Sequence, residues 1–185
     1  RSRSLPAINT NWFPNTVTAG YWSSSTSVVG AGNSYAWCVI FNYGLVGANG
    51  KANAYAVRAV RGGQSRSLDD LIINGDGTVT DTATGLMWQQ ASVSGKTWET
   101  ALSYAEGLEL AGYSDWRLPN ITELQSLVDY SRFNPSIYTQ AFPGTVSSSY
   151  WSSTTYAYNY GYAWCVNFNG GSVDLIPFFS RRIGL

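Results

Sequence analysis

The chain has 185 residues, with 11 Lys+Arg balanced by 11 Asp+Glu and no histidine at all. Zero formal charge leaves no global attraction for nucleic acid. The missing histidine removes Ser-His-Asp and Cys-His catalysis and histidine metal sites. Only 12% of residues are charged while 15% are aromatic, so the expected surface is neutral, polar and aromatic around a substantial core. No apolar run approaches the roughly 18 residues of a membrane span, so membrane insertion is not expected. The opening Arg1-Ser2-Arg3-Ser4 does not read as a signal peptide; a segment processed from a secreted parent fits the same text.

Taken in chain order, the first element is half of a repeat. Residues 2–26 read SRSLPAINTNWFPNTVTAGYWSSST and return at 131–155 as SRFNPSIYTQAFPGTVSSSYWSSTT. AWCVIFNYG at 36–44 returns as AWCVNFNGG at 163–171 after a two-residue slip. This predicts the second half of one unit over 1–65 and a nearly complete second unit over 66–185, joined at GGQSRS (62–67). In the second unit, Asn74-Gly75-Asp76-Gly77 marks a turn, with hairpin strands at Thr78–Thr80 and Gly85–Gln89. Thr97 is an N-cap candidate for a helix whose face carries Trp98, Ala101, Leu102, Ala105 and Leu108 and which Gly112 closes. A second helix follows Pro119-Asn120, with Ile121, Leu124, Leu127 and Val128 on its stripe. Beyond Pro143 the text turns to short strands and polar loops. The fold class is α+β, helices in the first half of a unit and strands in the second.

Charge follows this division. Residues 1–68 hold Arg1, Arg3, Lys51, Arg58, Arg61 and Arg66 and no acid, whereas the acids gather between Asp69 and Asp129. A basic stretch points to an anionic partner on one reading. On the other, which carries more weight, each unit pairs an acidic helical half with a basic strand half, and this chain holds one acidic half.

GDGTVTDTATGLMWQQ, AGYSDWRLPNITELQSLVD, YWSST and AWCVNF occur in one order and spacing over residues about 70–171. In that combination the chain resembles the bacterial DUF1566 family, the Lcl C-terminal domain named after the Legionella collagen-like adhesin. The resemblance implies a C-type-lectin-like fold, a secreted or cell-surface location on a bacterium or phage, and binding without catalysis. In the adhesin the domain trimerises and binds sulfated glycosaminoglycans, which makes a homo-oligomer an expectation. Related lectin-like domains are variable proteins of diversity-generating retroelements. The first unit ends YAVRAVRGG (55–63), fitting the family's closing strand; the ending PFFSRRIGL (177–185) departs from it, so that strand is expected to be altered or missing.

Candidate ligand residues follow from comparing the copies. As a strand, AWCVNF puts Trp164, Val166 and Phe168 on one side and Cys165 and Asn167 on the other. The inner set recurs as Trp37, Val39 and Phe41, while the outer set changes to Cys38 and Ile40, which predicts a core face and a displayed face. Just before it, Tyr156, Tyr158, Tyr160 and Tyr162 alternate with Ala157, Asn159 and Gly161, where the first copy reads SVVGAGNSY. Tyrosines give broad contact area at low entropic cost, and their faces stack on sugar C–H groups; the plainer reading is a hairpin packing on itself. The expected ligand-binding set is Tyr156, Tyr158, Asn159, Tyr160, Tyr162, Cys165, Asn167 and Asn169. Its first-copy counterpart is Asn33, Tyr35, Cys38, Ile40, Tyr43, Asn49, Lys51, Asn53 and Tyr55. Adenine-directed mutation of Asn codons yields Tyr, Cys, Ile, Gly, Ala, Ser and Asp, types that crowd 33–55 and 156–174, so hypermutation of these positions is an expectation that coding DNA would test.

No cofactor, metal or catalytic residue is expected. Glu99, Glu106, Glu109 and Glu123 read as solvated helix faces, not as a hydrolase pair. Asn74–Gly77 with Asp81 lacks the ligand series of a calcium loop. Cys38 and Cys165 read as free thiols without an activating base, and Asp115-Trp116-Arg117 reads as the turn that joins the helices. The expected function is a non-catalytic recognition module for a glycan or surface protein. The alternative is a repeat unit of a cell-surface filament or layer that self-associates through the same face.

Overall fold

The repeated sequence builds a repeated ladder. In the computed structural model, which describes residues 7–29, 32–61, 67–180 and 182–184, the first copy forms β1 (Gly20–Thr26), β2 (Tyr35–Ile40) and β3 (Leu45–Gly50). Between the copies come β4 (Leu71–Ile73), β5 (Thr78–Asp81), β6 (Leu86–Gln89), β7 (Val93–Lys96), α1 (Trp98–Glu106) and α2 (Ile121–Ser126). The second copy follows as β8 (Ser149–Thr155), β9 (Tyr162–Asn167) and β10 (Ser172–Pro177), closed by β11 (Arg182–Gly184). Of the expected joint at 62–67 only Ser67 is among the described residues, and residues 1–6 lie outside them.

Register is the same in both ladders. Trp22 opposes Cys38 and Thr26 opposes Ala36 across a bulge; Trp151 opposes Cys165 and Thr155 opposes Ala163 across its counterpart. The slip in the sequence repeat is taken up in the hairpin loops, 27–34 in one copy and 156–161 in the other. The ladders join through equivalent third strands, β3 antiparallel to β10, with Val46 directly opposite its own counterpart Val173. The resulting eight-stranded sheet runs β1-β2-β3-β10-β9-β8-β11-β7, and β4-β5-β6 form a separate sheet. Its six repeat strands are thus palindromic about the β3–β10 seam. The closing strand is in place despite its altered sequence: Ile183 pairs parallel with Tyr150, as Ala56 does with Tyr21. Among the described residues strands dominate and nearly all pair antiparallel, with two short α-helices. This is compatible with the expected α+β class but richer in strand, since β4 and β7 flank the expected hairpin of β5 and β6 in the helical half.

Each face of β8–β10 supports its own apolar cluster. Tyr150, Trp164, Val166, Phe168 and Val173 meet Trp88, Leu124, Leu127, Ile137 and Phe142 on one side, and Trp37 and Val46 of the first ladder join them. The inner set is therefore core, as its periodicity predicts. On the other side Trp151, Ala163, Cys165 and Ile176 meet Ala101 and Ala105 of α1. This corrects the expected displayed face: Cys165 is fully buried, because α1 adds a layer that strand alternation cannot reveal. A strand covered on both faces reads as a nearly continuous apolar run, and AWCV is one.

The helices start where their caps predict. Thr97 Oγ1 accepts from the Thr100 N–H. Asn120 and Glu123 form a reciprocal capping box that satisfies the first amides of α2. The end of α1 differs from expectation, since Gly107 caps it and Leu108 lies beyond; Gly112 instead serves a turn in which Leu110 and Tyr113 pair, its φ of 80° following Ala111 at 54°. Two indoles staple the helical half to the sheet. Trp98 Nε1 donates to the Ser152 carbonyl at 2.8 Å and Trp151 Nε1 to the Lys96 carbonyl at 3.2 Å.

Candidate recognition surface

The β8–β9 hairpin holds its tyrosines in two roles. Tyr156 and Tyr162 close the loop, the Tyr156 N–H donating to the Tyr162 carbonyl at 2.9 Å. The Tyr156 ring stands edge-on to Trp164 at 5.8 Å between centroids, so its position is set by the core. Tyr158 is 55% and Tyr160 77% exposed, the largest aromatic surface of the second copy's loops after Phe179. Asn159 shapes the tip from within, its Oδ1 accepting from the Gly161 N–H at 3.0 Å. The Gly161 carbonyl then accepts from the Phe178 N–H at 3.0 Å, tying the tip to the end of β10. The result is two exposed tyrosines on a braced loop whose closing residues, Tyr156 and Tyr162, are half-buried; the Tyr158 ring lies against Tyr156, with centroids 5.5 Å apart.

The rest of the expected second-copy set does not all join that tip. Cys165 is buried, with its Sγ 3.5 Å from the Asp174 carbonyl. Asn167 and Asn169 sit at the far end of β9, where the Asn167 side chain accepts from the Asn169 N–H at 2.9 Å. Because β9 runs from Tyr162 to Asn167, these two asparagines lie a strand's length from the tyrosines.

The first-copy set divides likewise. Cys38, Ile40 and Asn49 lie on the face of β1–β3 equivalent to the one that α1 covers in the second copy. Cys38 is buried even so, and Asn49 Nδ2 donates to its Sγ at 3.3 Å. Tyr55 covers Trp22 there, with ring centroids 4.7 Å apart, and Lys51 donates to Thr26 Oγ1 at 2.8 Å. Asn49 stands where β10 has buried Ile176, and Lys51 where the second copy has Phe178 stacked on Trp98. The apolar positions under α1 are thus polar where no described helix lies over them. Asn33 (φ 55°) and Tyr35 belong to the β1–β2 end and Tyr43 to the turn after β2, all three exposed; Asn53 is exposed beyond β3. Successive strands β2, β3, β10 and β9 alternate in direction, so the loops 27–34 and 156–161 emerge at opposite ends of the sheet. The two expected sets do not form one surface.

A second surface escaped the sequence reading. Phe142 is fully buried, while its counterpart Phe13 is 40% exposed beside Trp12 at 78% and Val17 at 55%. Arg58 lies over the Phe13 ring at 4.9 Å and donates to Thr16 Oγ1 at 2.6 Å. In the second copy this region meets the helical half, where Gln90 donates to the Ala141 carbonyl at 2.9 Å and Tyr150 to Ser92 Oγ at 3.3 Å. The signal was present: Trp12 stands where the second copy has the fully buried Ala141.

Among the described residues no cluster of His, Cys, Asp and Glu is arranged to hold a metal, and both cysteines are buried. No described helix is long and apolar enough to cross a membrane. Arg117 and Glu123 make a two-bond ion pair at 2.8 and 2.7 Å. Glu123 is thereby held below the usual carboxylate range, first by the Arg117 hydrogen bond, against burial and with help from the Asn120 N–H. This pair serves the α2 cap, which agrees with reading Arg117 as part of the turn.

The model of the Lcl C-terminal domain matches residues 1–61 and 77–179 of the chain. Among curated proteins and among solved structures, none matches it.

Proposed function

We propose that this chain, which belongs to the Lcl C-terminal domain family, is a non-catalytic recognition module that engages a glycan or surface receptor outside the cell. The observation that carries the reading is the β8–β9 tip, where Tyr158 and Tyr160 stand exposed above a loop whose base is packed on Trp164. Rigid aromatic rings presented on a braced loop bind at small entropic cost and offer both a stacking face and a hydroxyl. The two copies repeat their frame and diverge most in the loop before the second strand, SVVGAGNSY against the tyrosine-rich 156–162, which fits a C-type-lectin-like scaffold that varies its display. A catalytic reading lacks support: the thiols are buried and the Arg117–Glu123 pair is committed to a helix cap.

The test is a glycan and surface-protein array probed with wild type and a Tyr158→Ala/Tyr160→Ala variant, with Tyr156 and Tyr162 kept because they close the loop. Binding that the variant loses while its melting stays unchanged supports the module and its site. Binding that survives keeps the function and discards the tip. A second reading, an assembly unit of a surface layer, is favoured by the exposed Trp12, Phe13 and Val17 beside Arg58. Under it, light scattering finds oligomers that Trp12→Ser disperses, and the array stays blank.

A further inference from the structure

The first ladder repeats a strand seat that the second ladder fills. In the second copy β11 lies parallel to β8 and turns its other edge to β7, with Arg182 opposite Lys96 and Gly184 opposite Val93. In the first copy Ala56 takes the place of Ile183. Its N–H donates to the Gly20 carbonyl at 2.9 Å and its carbonyl accepts from the Trp22 N–H at 3.0 Å. Backbone groups of successive residues in an extended chain face opposite edges, so Tyr55 and Val57 direct theirs away from β1, as Arg182 and Gly184 direct theirs toward β7. No backbone group of the described residues pairs with them.

The approach to the seat is repeated as well, without its cover. Leading into β7, Gln90 donates to the Ala141 carbonyl and Ser92 Oγ accepts from the Tyr150 hydroxyl, so that segment passes Ala141 and Phe142 before it joins β11. The same track on the first copy passes Trp12 and Phe13, 78% and 40% exposed, and reaches Val57 at 74%. An edge with unpaired N–H and C=O groups beside apolar side chains is a template for one more strand.

Shape and charge select the occupant. The place that α1 takes over the second ladder is already taken on the first, where Tyr55 lies on Trp22 and Lys51 donates to Thr26. An extended segment fits, and a copy of the helical half does not. Arg58, next to Val57, engages Thr16 and the Phe13 ring and no carboxylate of the described residues; Arg61 is exposed, and residues 1–68 hold no acid at all. Pairing this edge with its own counterpart in another molecule would bring these cations together, whereas an acidic strand neutralises them. We infer that the edge at 55–57 is a strand-addition site for an extended segment of a partner protein, apolar at alternate positions and flanked by carboxylates, and separate from the β8–β9 tip.

The experiment titrates the full chain with a capped seven-residue peptide of alternating Val and Thr that ends in Asp on both sides, and with its counterpart ending in Lys. Two further Asp peptides carry N-methyl groups on one or the other alternate set of amides. Tryptophan fluorescence and calorimetric heat are followed at low and high salt. The expected result is saturable one-to-one binding of the Asp peptide, weakened by salt and about tenfold weaker for the Lys peptide. One methylation pattern abolishes binding and the other spares it, because only one set of amides faces the edge. Arg58→Gln and Trp12→Ser each weaken binding several-fold, and Tyr158→Ala/Tyr160→Ala leaves it unchanged. The methylated pair is read on wild type, so the test stands if a substituted chain does not fold. Absence of saturation, equal affinity for the Asp and Lys peptides, or equal effects of the two methylation patterns overturns the inference. Loss only in the tyrosine variant also overturns it and supports the tip instead. A free chain that sediments as an oligomer and is dispersed by Trp12→Ser puts another molecule of this chain in the seat and overturns the partner assigned.

Discussion

Glu123 shows how much one side chain does at the start of a six-residue helix. It accepts from the Asn120 N–H at 2.8 Å while Asn120 Oδ1 accepts from the Thr122 and Glu123 amides, and it takes both ends of the Arg117 guanidinium. Arg117 is 57% exposed at its side chain, so the ion pair itself is screened and contributes little; the cap contributes more. Glu123→Ala is expected to cost about 1 kcal/mol at neutral pH, and Glu123→Gln less, because an amide oxygen still accepts. The folded carboxyl sits below its unfolded value, so its contribution is fully present above roughly pH 4 and is lost as pH falls through the lower folded value. Urea unfolding of wild type and Glu123→Ala at neutral and at acid pH checks this: the gap between them closes in acid. A gap that stays constant would show that the charge adds nothing to the cap. Asp129 behaves alike, since bonds from Ser131 and Arg132 outweigh the burial that pushes its carboxyl up.

At the scale of elements, the two copies form an internal experiment in which sequence is shared and cover is not. Phe142→Ala empties a fully buried site and is expected to cost about 3–5 kcal/mol, whereas Phe13→Ala at the matching place costs about 1 kcal/mol. Thermal melts of the two variants compare them directly, and equal losses would mean that Phe13 is covered in solution. The same comparison explains what the sequence made legible. Trp164, Val166 and Phe168 were readable as core because two copies kept them, and Thr97 and Asn120 as caps because their chemistry is local. The burial of Cys165 was not readable, since alternation reports two faces but not how many layers cover them. Strands of three or four residues such as β4, β7 and β11 are too short to carry a period. The pairing of β7 and β11 depends moreover on distant partners, as Arg182 with Lys96 shows. Of the candidate site, the tyrosine tip was legible as a divergent aromatic loop. That the first-copy residues lie elsewhere followed only from strand direction at the seam.

For the whole molecule, the seam makes each ladder the edge cover of the other. β10 keeps a covered edge because β3 lies on it, and an uncovered strand edge is a template for pairing. A fragment of residues 67–185 is therefore expected to self-associate through β10, which light scattering detects; a monodisperse monomer would contradict this. Residues 1–61 alone are expected to lack a cooperative melt, because Trp37 and Val46 complete their core with residues of the second half, Trp37 meeting Tyr130 at 4.7 Å. The antiparallel seam has one more consequence, in valency. It sets the N-terminal ends of β2 and β9, at Tyr35 and Tyr162, where the two hairpins turn, at opposite ends of the sheet, on the order of 20 Å apart across six-residue strands. Whatever each tip carries, both cannot rest on one flat surface, so one molecule gains no avidity there from having two. The arrangement suits a bridge between two surfaces instead of a firmer grip on one.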